Sequence, residues 1–307
     1  MATNVTQEQI LLYREGLLKV IQDGIKDTPN TAARISSKVI GSRQVYEEIV
    51  TQSGLGFFQN MDEVEGVTFD STVPRFTKRY TPIVRTLGVK WSKQSKQKDL
   101  YGFVKSFGKQ LADAAVATRN LLACNTLTLG FSGGGVLSPD GVAVFASNHP
   151  LMTGATQSNL GTLALSGSSL EDAIQQVLGQ VGDRGIPAYF PGGFNLVVGP
   201  PNAGIARRAA RSEGLQGTAD NDTGEFNTDM IKSIIVDQMI GFGQSGLTDA
   251  WFLVPADDDR NPIFCLRVQD VETAADTDIV YQEAMFVSDF EEVWDVFGYR
   301  GMFGTNP

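Results

Sequence analysis

The sequence is poor in the residues that most catalytic and metal sites require. It contains one histidine, His149, and two cysteines, Cys124 and Cys265. Two cysteines are too few for a disulfide framework or a tetrahedral zinc site. A single histidine also removes most metalloenzyme designs and most acid–base designs that operate near neutral pH. These shortages favour a protein without a metal or redox site.

The sequence also lacks an apolar run long enough to cross a membrane. Near the N-terminus, Glu8, Arg14 and Glu15 interrupt the segment where a secretory signal would need a continuous apolar core. The least charged stretch, residues 120–170, is broken by three consecutive glycines, two prolines and many hydroxyl residues. We expect a soluble protein with no membrane partner, made in a reducing cytoplasm.

The remaining composition is that of an ordinary globular protein. Hydrophobic residues make up 42% of the 307 residues and charged residues 20%, and the chain is long enough for about two domains. The 33 glycines predict many tight turns or close backbone contacts. The net charge of −10 argues against affinity of the whole chain for DNA.

Charge is unevenly distributed along the chain. Residues 75–120 include 11 basic and 2 acidic residues, whereas residues 213–307 include 19 acidic and 4 basic ones. Three interpretations are open: two solvated faces of a monomer, a nucleic-acid patch with Trp91, Tyr101 and Phe103 among the lysines, or complementarity between copies of the chain. Composition alone does not choose between them.

Hydrophobic periodicity predicts one long helix over residues 98–128. The apolar side chains on one helical face are Leu100, Phe103, Val104, Phe107, Leu111, Ala114, Ala115, Thr118 and Leu122. Roughly thirty residues at 1.5 Å each give a rod of roughly 45 Å, which is long for a compact domain. A second helix is predicted over residues 6–26 and a short one over 32–38.

Strand signals dominate much of the remaining sequence. Residues 55–92 predict a long polar hairpin with too few apolar residues for a core of its own, so it must lie against another surface. Between residues 160 and 270, helices and strands alternate, which indicates an α+β or α/β region. The predicted elements there are a helix over 169–178 capped by Ser168 and Glu171, a strand at 194–198, a helix through Ala210, an exposed loop at 215–228, and strands at 233–240, 251–254 and 263–268. Further strands are predicted over 279–303.

Three short motifs match known functional patterns, but each lacks the surrounding structure. The G-x-S-x-G at 130–134 follows a predicted helix, whereas a nucleophile elbow needs a strand before its serine, here Ser132. The G-x-G-x-x-G at 241–246 leads into a predicted strand, so we expect a β-hairpin turn. The run Asp257–Asp259 lacks the glycine and distal glutamate of a calcium loop. We predict no catalytic, cofactor-binding or metal-binding residues.

Four stretches, in chain order, carry a resemblance to a known family. They are the basic arm 55–92 leading into helix 98–128, the segment from Asp140-Gly141 to His149-Pro150, the strand and turn 195–201 before a small helix, and the ending 294–301. Together they resemble the major capsid proteins of tailed bacteriophages, particularly the group that includes the Mu-like head proteins. The resemblance covers nearly the whole chain, and the order of the motifs carries it.

The resemblance implies the Hong Kong 97-like capsid fold, an α+β fold with a spine helix and an extended loop. It implies five segments: an N-terminal arm (1–52), an extended β-hairpin loop (53–97), a peripheral domain with the spine helix (98–159), an axial domain (160–267) and C-terminal strands of the peripheral domain (268–307).

The resemblance also implies a function. The chain would be a structural protein, not an enzyme, that self-assembles into hexamers and pentamers of an icosahedral head enclosing double-stranded DNA without sequence-specific binding. It would be a virion component assembled in the bacterial host cytoplasm, with a portal, a scaffold and, in some members, decoration proteins as further partners. The alternatives are an encapsulin-type compartment shell, which has the same fold, and a serine hydrolase using Ser132.

The charge asymmetry suggests where copies would meet. We hypothesise that the basic arm docks on an acidic surface drawn from residues 213–307 of an adjacent subunit. The residues assigned to this contact are Arg75, Lys78, Arg79, Arg85, Lys90 and Lys93. Some family members form lysine–asparagine crosslinks, but nothing in this sequence identifies an acidic catalyst or an acceptor.

Overall fold

The computed structural model describes residues 30–36, 38–60, 67–92, 103–133, 135–211, 225–243, 247–278 and 283–307, together with the single positions 19, 23, 25 and 94. The helices are α1 (Ala32–Ile35), α2 (Phe103–Thr128), α3 (Gly167–Leu178), α4 (Ala203–Arg211) and α5 (Glu225–Met230), with a 3-10 turn at Pro200–Asn202. The strands are β1 (Lys38–Gly41), β2 (Glu47–Gln52), β3 (Pro74–Tyr80), β4 (Ile83–Ser92), β5 (His149–Pro150), β6 (Thr156–Gln157), β7 (Leu160–Gly161), β8 (Phe194–Val198), β9 (Ile231–Val236), β10 (Trp251–Pro255), β11 (Ile263–Asp278), β12 (Glu283–Val296) and β13 (Phe303–Thr305). Helices and strands thus combine in an α+β arrangement, as predicted.

The long helix α2 connects the two main sheets. Its 26 residues span ~39 Å at 1.5 Å per residue. Leu111 and Ala112 pack near Val89 of β4, whereas Leu127, sixteen positions on, packs in the core of the other sheet. The helix is confirmed, although residues 98–102 of its predicted span lie outside the described residues. The predicted helix over residues 6–26 also lies outside them, apart from Lys19, Asp23 and Ile25, which are helical.

A five-stranded sheet, in the order β7-β13-β10-β8-β9, is covered on both faces. Side chains alternate along β10 because successive residues of a strand point to opposite faces. Trp251 and Leu253 therefore pack with the helices α3 and α4. Phe252 and Val254 pack on the other face with Leu127 at the end of α2. This alternation makes the central strand apolar throughout.

A four-stranded sheet, in the order β1-β11-β12-β4, carries α2 on one face. Trp294 of β12 packs with Ala123 of α2 on that face. On the opposite face Tyr80, Phe264 and Leu266 form a separate cluster. Strand β11 is far longer than the predicted 263–268, because much of it beyond residue 268 is polar or small and carries no alternating apolar signal. Strand β12 lies within the predicted strand region 279–303.

The predicted hairpin over residues 55–92 is wrong in its strand pairing. Strand β3 pairs antiparallel with β2, which precedes the predicted segment. Strand β4 instead pairs antiparallel with β12 and forms the edge of the four-stranded sheet. The ribbon therefore consists of β2 and β3, and the described residues between them, 53–60 and 67–73, form neither helix nor strand. Long-range pairing of β4 decides this, and a local pattern does not reveal it.

Three local predictions also need correction. Helix α3 is capped by Ser166 and Ser169, not by Ser168 and Glu171. The predicted loop at 215–228 includes the first residues of α5, while residues 212–224 lie outside the described part. The short helix predicted over 32–38 ends at Ile35, and β1 begins at Lys38. Among the described residues, no helix combines the length and hydropathy that a membrane crossing requires.

Candidate assembly surface

The loop that joins β2 to β3 exposes large apolar side chains to solvent. The exposed large apolar residues of this loop are Leu55, Phe57, Phe58, Val67, Phe69 and Val73. Phe69 is 92% exposed, and Phe58 is fully exposed. Clustered apolar exposure of this kind marks a surface that contacts another macromolecule. We refer to the described residues of this connection, 53–60 and 67–73, as the apolar loop.

Two of the six basic residues assigned to a subunit contact are bound within their own chain and mostly buried. Lys78 Nζ lies 2.6 Å from Asp295 Oδ1 and donates to the Leu137 carbonyl at 2.6 Å. Burial raises the pKa of Asp295, although Lys78 opposes the shift. Arg75 Nη2 lies 3.6 Å from Asp183 Oδ1. These two side chains therefore hold the ribbon against the body of the same subunit.

Three further residues of the set also contact their own chain. Arg85 donates to the Glu292 carbonyl at 2.9 Å, and burial lowers the pKa of Arg85. Arg79 pairs with Glu48 across the ribbon, with 2.6 Å between Nη2 and Oε1. Lys90 Nζ lies 3.4 Å from Glu283 Oε2 on the neighbouring strand. Lys93 lies outside the described residues.

Some of the basic and acidic residues behind the charge asymmetry therefore pair with each other within one chain. The basic segment 75–120 meets the acidic segment 213–307 at Lys78–Asp295, at Lys90–Glu283 and at Arg119, which contacts both Asp270 and Glu292. None of the three interpretations drawn from composition included ion pairing between the two segments within one chain. The Arg79 and Lys90 side chains keep 57% and 70% of their surface exposed, so they retain the most area for a second contact.

His149 is bound by its surroundings and has no free ring nitrogen. Its Nδ1 lies 2.6 Å from Asp140 Oδ2, and its Nε2 lies 3.2 Å from Asn159 Oδ1. The buried ring also stacks on Tyr299, with 3.6 Å between the centroids. A general base needs an accessible nitrogen facing the nucleophile. His149 instead joins the segment after α2 to the C-terminal segment.

Ser132 does not lie in a nucleophile elbow. Helix α2 ends at Thr128 and turns follow directly, so no strand precedes this serine. Because the elbow depends on a sharp strand-to-helix turn, the motif match is a coincidence of sequence.

The two remaining motifs lie in turns. Gly241–Gly243 form a turn after β9, while residues 244–246 lie outside the described part. The predicted hairpin is wrong, because β9 pairs with β8 and not with β10. Asp259 pairs with Lys38 at 2.7 Å. In the described part of the chain, no cluster of three or more histidine, cysteine or acidic residues is arranged to hold a metal.

Sequence reasoning missed one contact that holds the apolar loop to the body. Arg184 Nη1 lies 2.7 and 2.6 Å from the two oxygens of Asp70, and Arg184 Nη2 donates to the Ser71 carbonyl. The two residues are 114 positions apart, and neither lies in a motif, so no local signal could have found the pair.

Comparison with known proteins identifies the family. The family model described as "Phage capsid protein" matches residues 75–307. No match was found among curated proteins. Solved structures with the same fold include the mature capsid of bacteriophage PhiM1, at a TM-score of 0.59 and 9% identity over 91% of this chain and 87% of that one. The procapsid of bacteriophage JBD30 has a TM-score of 0.52 and 15% identity over 98% and 75%. A virus-like particle from Pyrococcus furiosus has a TM-score of 0.56 and 12% identity over 95% and 99%.

The family match covers most of the chain, and the structures agree with it on the fold. The described part of the chain combines a long helix between two sheets with a two-stranded ribbon whose loop exposes apolar side chains. The chain therefore belongs to the phage capsid protein family: it is a capsid-forming structural protein of the virion, not an enzyme, with the Hong Kong 97-like fold of the tailed-phage major capsid proteins.

Proposed function

We propose that copies of this chain form the hexamers and pentamers of an icosahedral phage head that encloses double-stranded DNA. The observation that carries the proposal is the apolar loop on the β2–β3 ribbon, whose aromatic side chains have no cover within the described chain. Exposed phenylalanines do not stabilise a monomer, whereas a lattice subunit can bury them against its neighbours. Family membership supports a second copy as that neighbour.

The remaining partners follow from the same proposal. A closed head needs a portal through which DNA enters, a scaffold during assembly and, in some heads, decoration proteins. A net charge of −10 suits a container whose wall does not bind the genome along its length. We place assembly in the bacterial host cytoplasm.

The proposed division of the chain keeps the five segments derived from the resemblance. Residues 1–52 form the arm, 53–97 the extended loop, 98–159 and 268–307 the peripheral domain, and 160–267 the axial domain. The five-stranded sheet supports an axial unit, because four of its five strands, β7 to β10, lie within 160–267. Strand β13 joins that sheet from the C-terminal segment, which ties the two proposed domains together.

The first experiment is to measure the particle size of the purified chain expressed alone, by light scattering and negative-stain microscopy. Closed shells, tubes or capsomers are expected, because the apolar loop has a partner only in an assembly. A chain that stays monomeric at high concentration, and also in the presence of its scaffold, would contradict the proposal.

The contact role of Arg75, Lys78, Arg79, Arg85, Lys90 and Lys93 stays a proposal, and its sharpest test uses the two most exposed described members. We expect Arg79→Glu combined with Lys90→Glu to reduce particle yield while circular dichroism stays unchanged. Arg75 and Lys78 are unsuitable, because their pairs with Asp183 and Asp295 in the same chain are mostly buried, whereas the same-chain pairs of Arg79 and Lys90 are exposed.

The matched control reverses two exposed arginines of α4, Arg207→Glu with Arg208→Glu, which changes the net charge equally. Normal assembly of this control beside poor assembly of the first variant would support a charged contact at the ribbon. Equal particle yields from both variants would contradict a charged contact at the ribbon.

An encapsulin-type compartment is the second candidate. The similar virus-like particle from Pyrococcus furiosus is covered over 99% of its length, which favours a shell of similar subunit size. The two candidates differ in contents. Particles isolated from the producing cells and treated with nuclease should retain DNA if the chain builds a phage head, and should instead contain an enzyme if it builds a compartment.

A further inference from the structure

Asp70 joins the two limbs of the apolar loop and binds the body of the subunit. Its carboxylate accepts hydrogen bonds from the backbone amide of Gly56 on the outgoing limb and of Ser71 on the returning limb, both at 2.8 Å. It also contacts Arg184 Nη1 through both oxygens. One side chain thus closes the base of the loop and attaches it to the body.

Gly56 lies close to this carboxylate. A Cβ atom at position 56 would lie 3.2 Å from Asp70 Oδ2 and 3.8 Å from Arg184 Nη1. The absence of a side chain lets the amide approach the carboxylate directly. The outgoing limb therefore takes part in the contact through the Gly56 amide.

The turn that carries Arg184 is itself held in place. Gly182 and Ile186 are hydrogen-bonded across it at 2.7 Å. The adjacent Asp183 is buried and accepts from Arg300 Nη2 at 3.0 Å, while Arg300 Nε donates to the Val181 carbonyl at 3.0 Å. The turn follows α3, which packs on the five-stranded sheet. Arg184 therefore projects from a fixed point.

The other end of the ribbon is attached to the other sheet. Lys78 pairs with Asp295 of β12, and the Tyr80 hydroxyl donates to the Val296 carbonyl at 2.9 Å. The ribbon is held in two regions: Asp70 and Arg75 contact the turn after α3, and Lys78 and Tyr80 contact β12. Two separated attachments fix a direction, whereas one would act as a pivot.

We propose that Arg184 and Asp70 form a clasp that orients the apolar loop for docking on a second copy of this chain. The inference rests on the proposed function, since the second copy is the partner that the exposed phenylalanines need. Both residues are positioning residues: the clasp orders the loop before assembly, so the loop meets its partner without a further loss of conformational freedom.

The test compares the wild-type chain with Arg184→Ala, with Arg184→Lys and with the exchanged pair Arg184→Asp and Asp70→Arg. The first readout is amide hydrogen exchange at Gly56 and Ser71 in the unassembled full-length chain. The second is particle yield by light scattering and microscopy. Arg211→Ala is the control, because Arg211 also donates to a backbone carbonyl, that of Lys232, but lies away from the loop.

In Arg184→Ala, exchange at both amides should increase at least about tenfold, because they exchange through local opening of the loop. Particle yield should fall several-fold. The exchanged pair restores the ion pair and should recover part of the yield, but it should not restore slow exchange, because a guanidinium at position 70 cannot accept from the two amides. Arg184→Lys keeps the charge without the planar donors and should lie between the wild type and Arg184→Ala. Arg211→Ala should behave like the wild type.

Unchanged exchange in a folded Arg184→Ala chain would overturn the clasp. Faster exchange with undiminished assembly would overturn its role in docking. If Arg184→Ala fails to fold, Arg184→Lys decides the same question. If the wild type itself forms no shells, the proposed function fails, while the exchange comparison still decides whether the clasp orders the loop.

Discussion

At the residue scale, the chemistry of buried polar groups is set by their immediate neighbours. Asp140 and His149 bind each other, and the ring of His149 stacks on Tyr299. Gly141 follows Asp140 with φ of 81°, a backbone conformation that a residue with a side chain rarely adopts. The aspartate–glycine and histidine–proline pairs therefore have a structural role, because their residues form one compact buried connection after the long helix.

Both cysteine thiols should be unreactive in the folded chain. Burial raises the pKa of Cys265 to about 12, with Glu292 adding to the shift, and burial raises the pKa of Cys124 as well. Because the thiolate is the reactive form, a thiol reagent at about pH 8 should label neither cysteine before unfolding and both after it. Labelling can be followed by mass spectrometry. Rapid labelling of the native chain, with circular dichroism unchanged, would contradict this burial.

Asp70 should titrate well below an ordinary aspartate. The hydrogen bond from Arg184, followed by those from the Gly56 and Ser71 amides, lowers the pKa of Asp70 from 3.8 to about 2. Because the folded value is the lower one, the contribution of the carboxylate to stability is present above about pH 4 and is lost as the pH falls towards 2. The carboxyl resonance of Asp70 reports the midpoint by NMR.

Arg184→Ala should return that midpoint towards 3.8, whereas Lys38→Ala, which breaks a distant ion pair, should leave it unchanged. A midpoint that is the same in the wild type and in Arg184→Ala would mean that the contact is absent in solution.

At the element scale, the start of α3 shows how a cap is selected among several serines. The Ser169 amide donates to Ser166 Oγ at 3.1 Å, and the Ser166 amide donates to Ser169 Oγ at 2.8 Å. The Ser169 hydroxyl also donates to the Ala164 carbonyl at 2.8 Å. Ser168 and Glu171 match the same spacing, yet the exposed Ser168 does not close the reciprocal pair.

Ser166→Ala should lower the free energy of unfolding by about 1 kcal/mol, because the Ser169 amide at the helix start loses its side-chain acceptor. Ser168→Ala, two positions away, should change it by less than about 0.5 kcal/mol. Urea denaturation of the unassembled chain measures both. Equal losses of stability in the two variants would contradict the assignment of Ser166 as the cap.

At the scale of the whole molecule, a buried ion pair joins the long helix to the four-stranded sheet. Arg119 of α2 and Glu292 of β12 keep 6% and 0% of their side-chain surface exposed, with 3.1 Å between Nε and Oε2. Glu292 also accepts from Arg267 Nε and Trp294 Nε1. Since α2 reaches from this sheet to the core of the other, the pair fixes the direction of the element that spans the subunit.

Arg119→Ala should lower the free energy of unfolding by about 3 kcal/mol, because it leaves the buried Glu292 with only one of its two arginine partners, Arg267. Lys38→Ala removes an exposed pair with Asp259 and should cost less than about 1 kcal/mol. Urea denaturation midpoints of the unassembled chain compare the two. An Arg119→Ala chain as stable as Lys38→Ala would show that the helix direction depends on packing alone.

The sequence by itself determined the elements whose signal is local. The apolar stripe predicted α2, and continuous apolar runs predicted β8 and β10, because a buried helix face and a buried central strand each impose a periodicity on neighbouring residues. Motif order also predicted the family and the absence of a catalytic role, which the family match confirms.

Only the tertiary structure decided which segments pair. It placed β4 beside β12, 191 or more positions later in the chain, brought Arg184 to Asp70, and paired the basic segment with the acidic segment of the same subunit. Each of these contacts joins residues that are distant in sequence. Their stability depends on the geometry of the assembled fold, so no local pattern of hydrophobicity or charge records them.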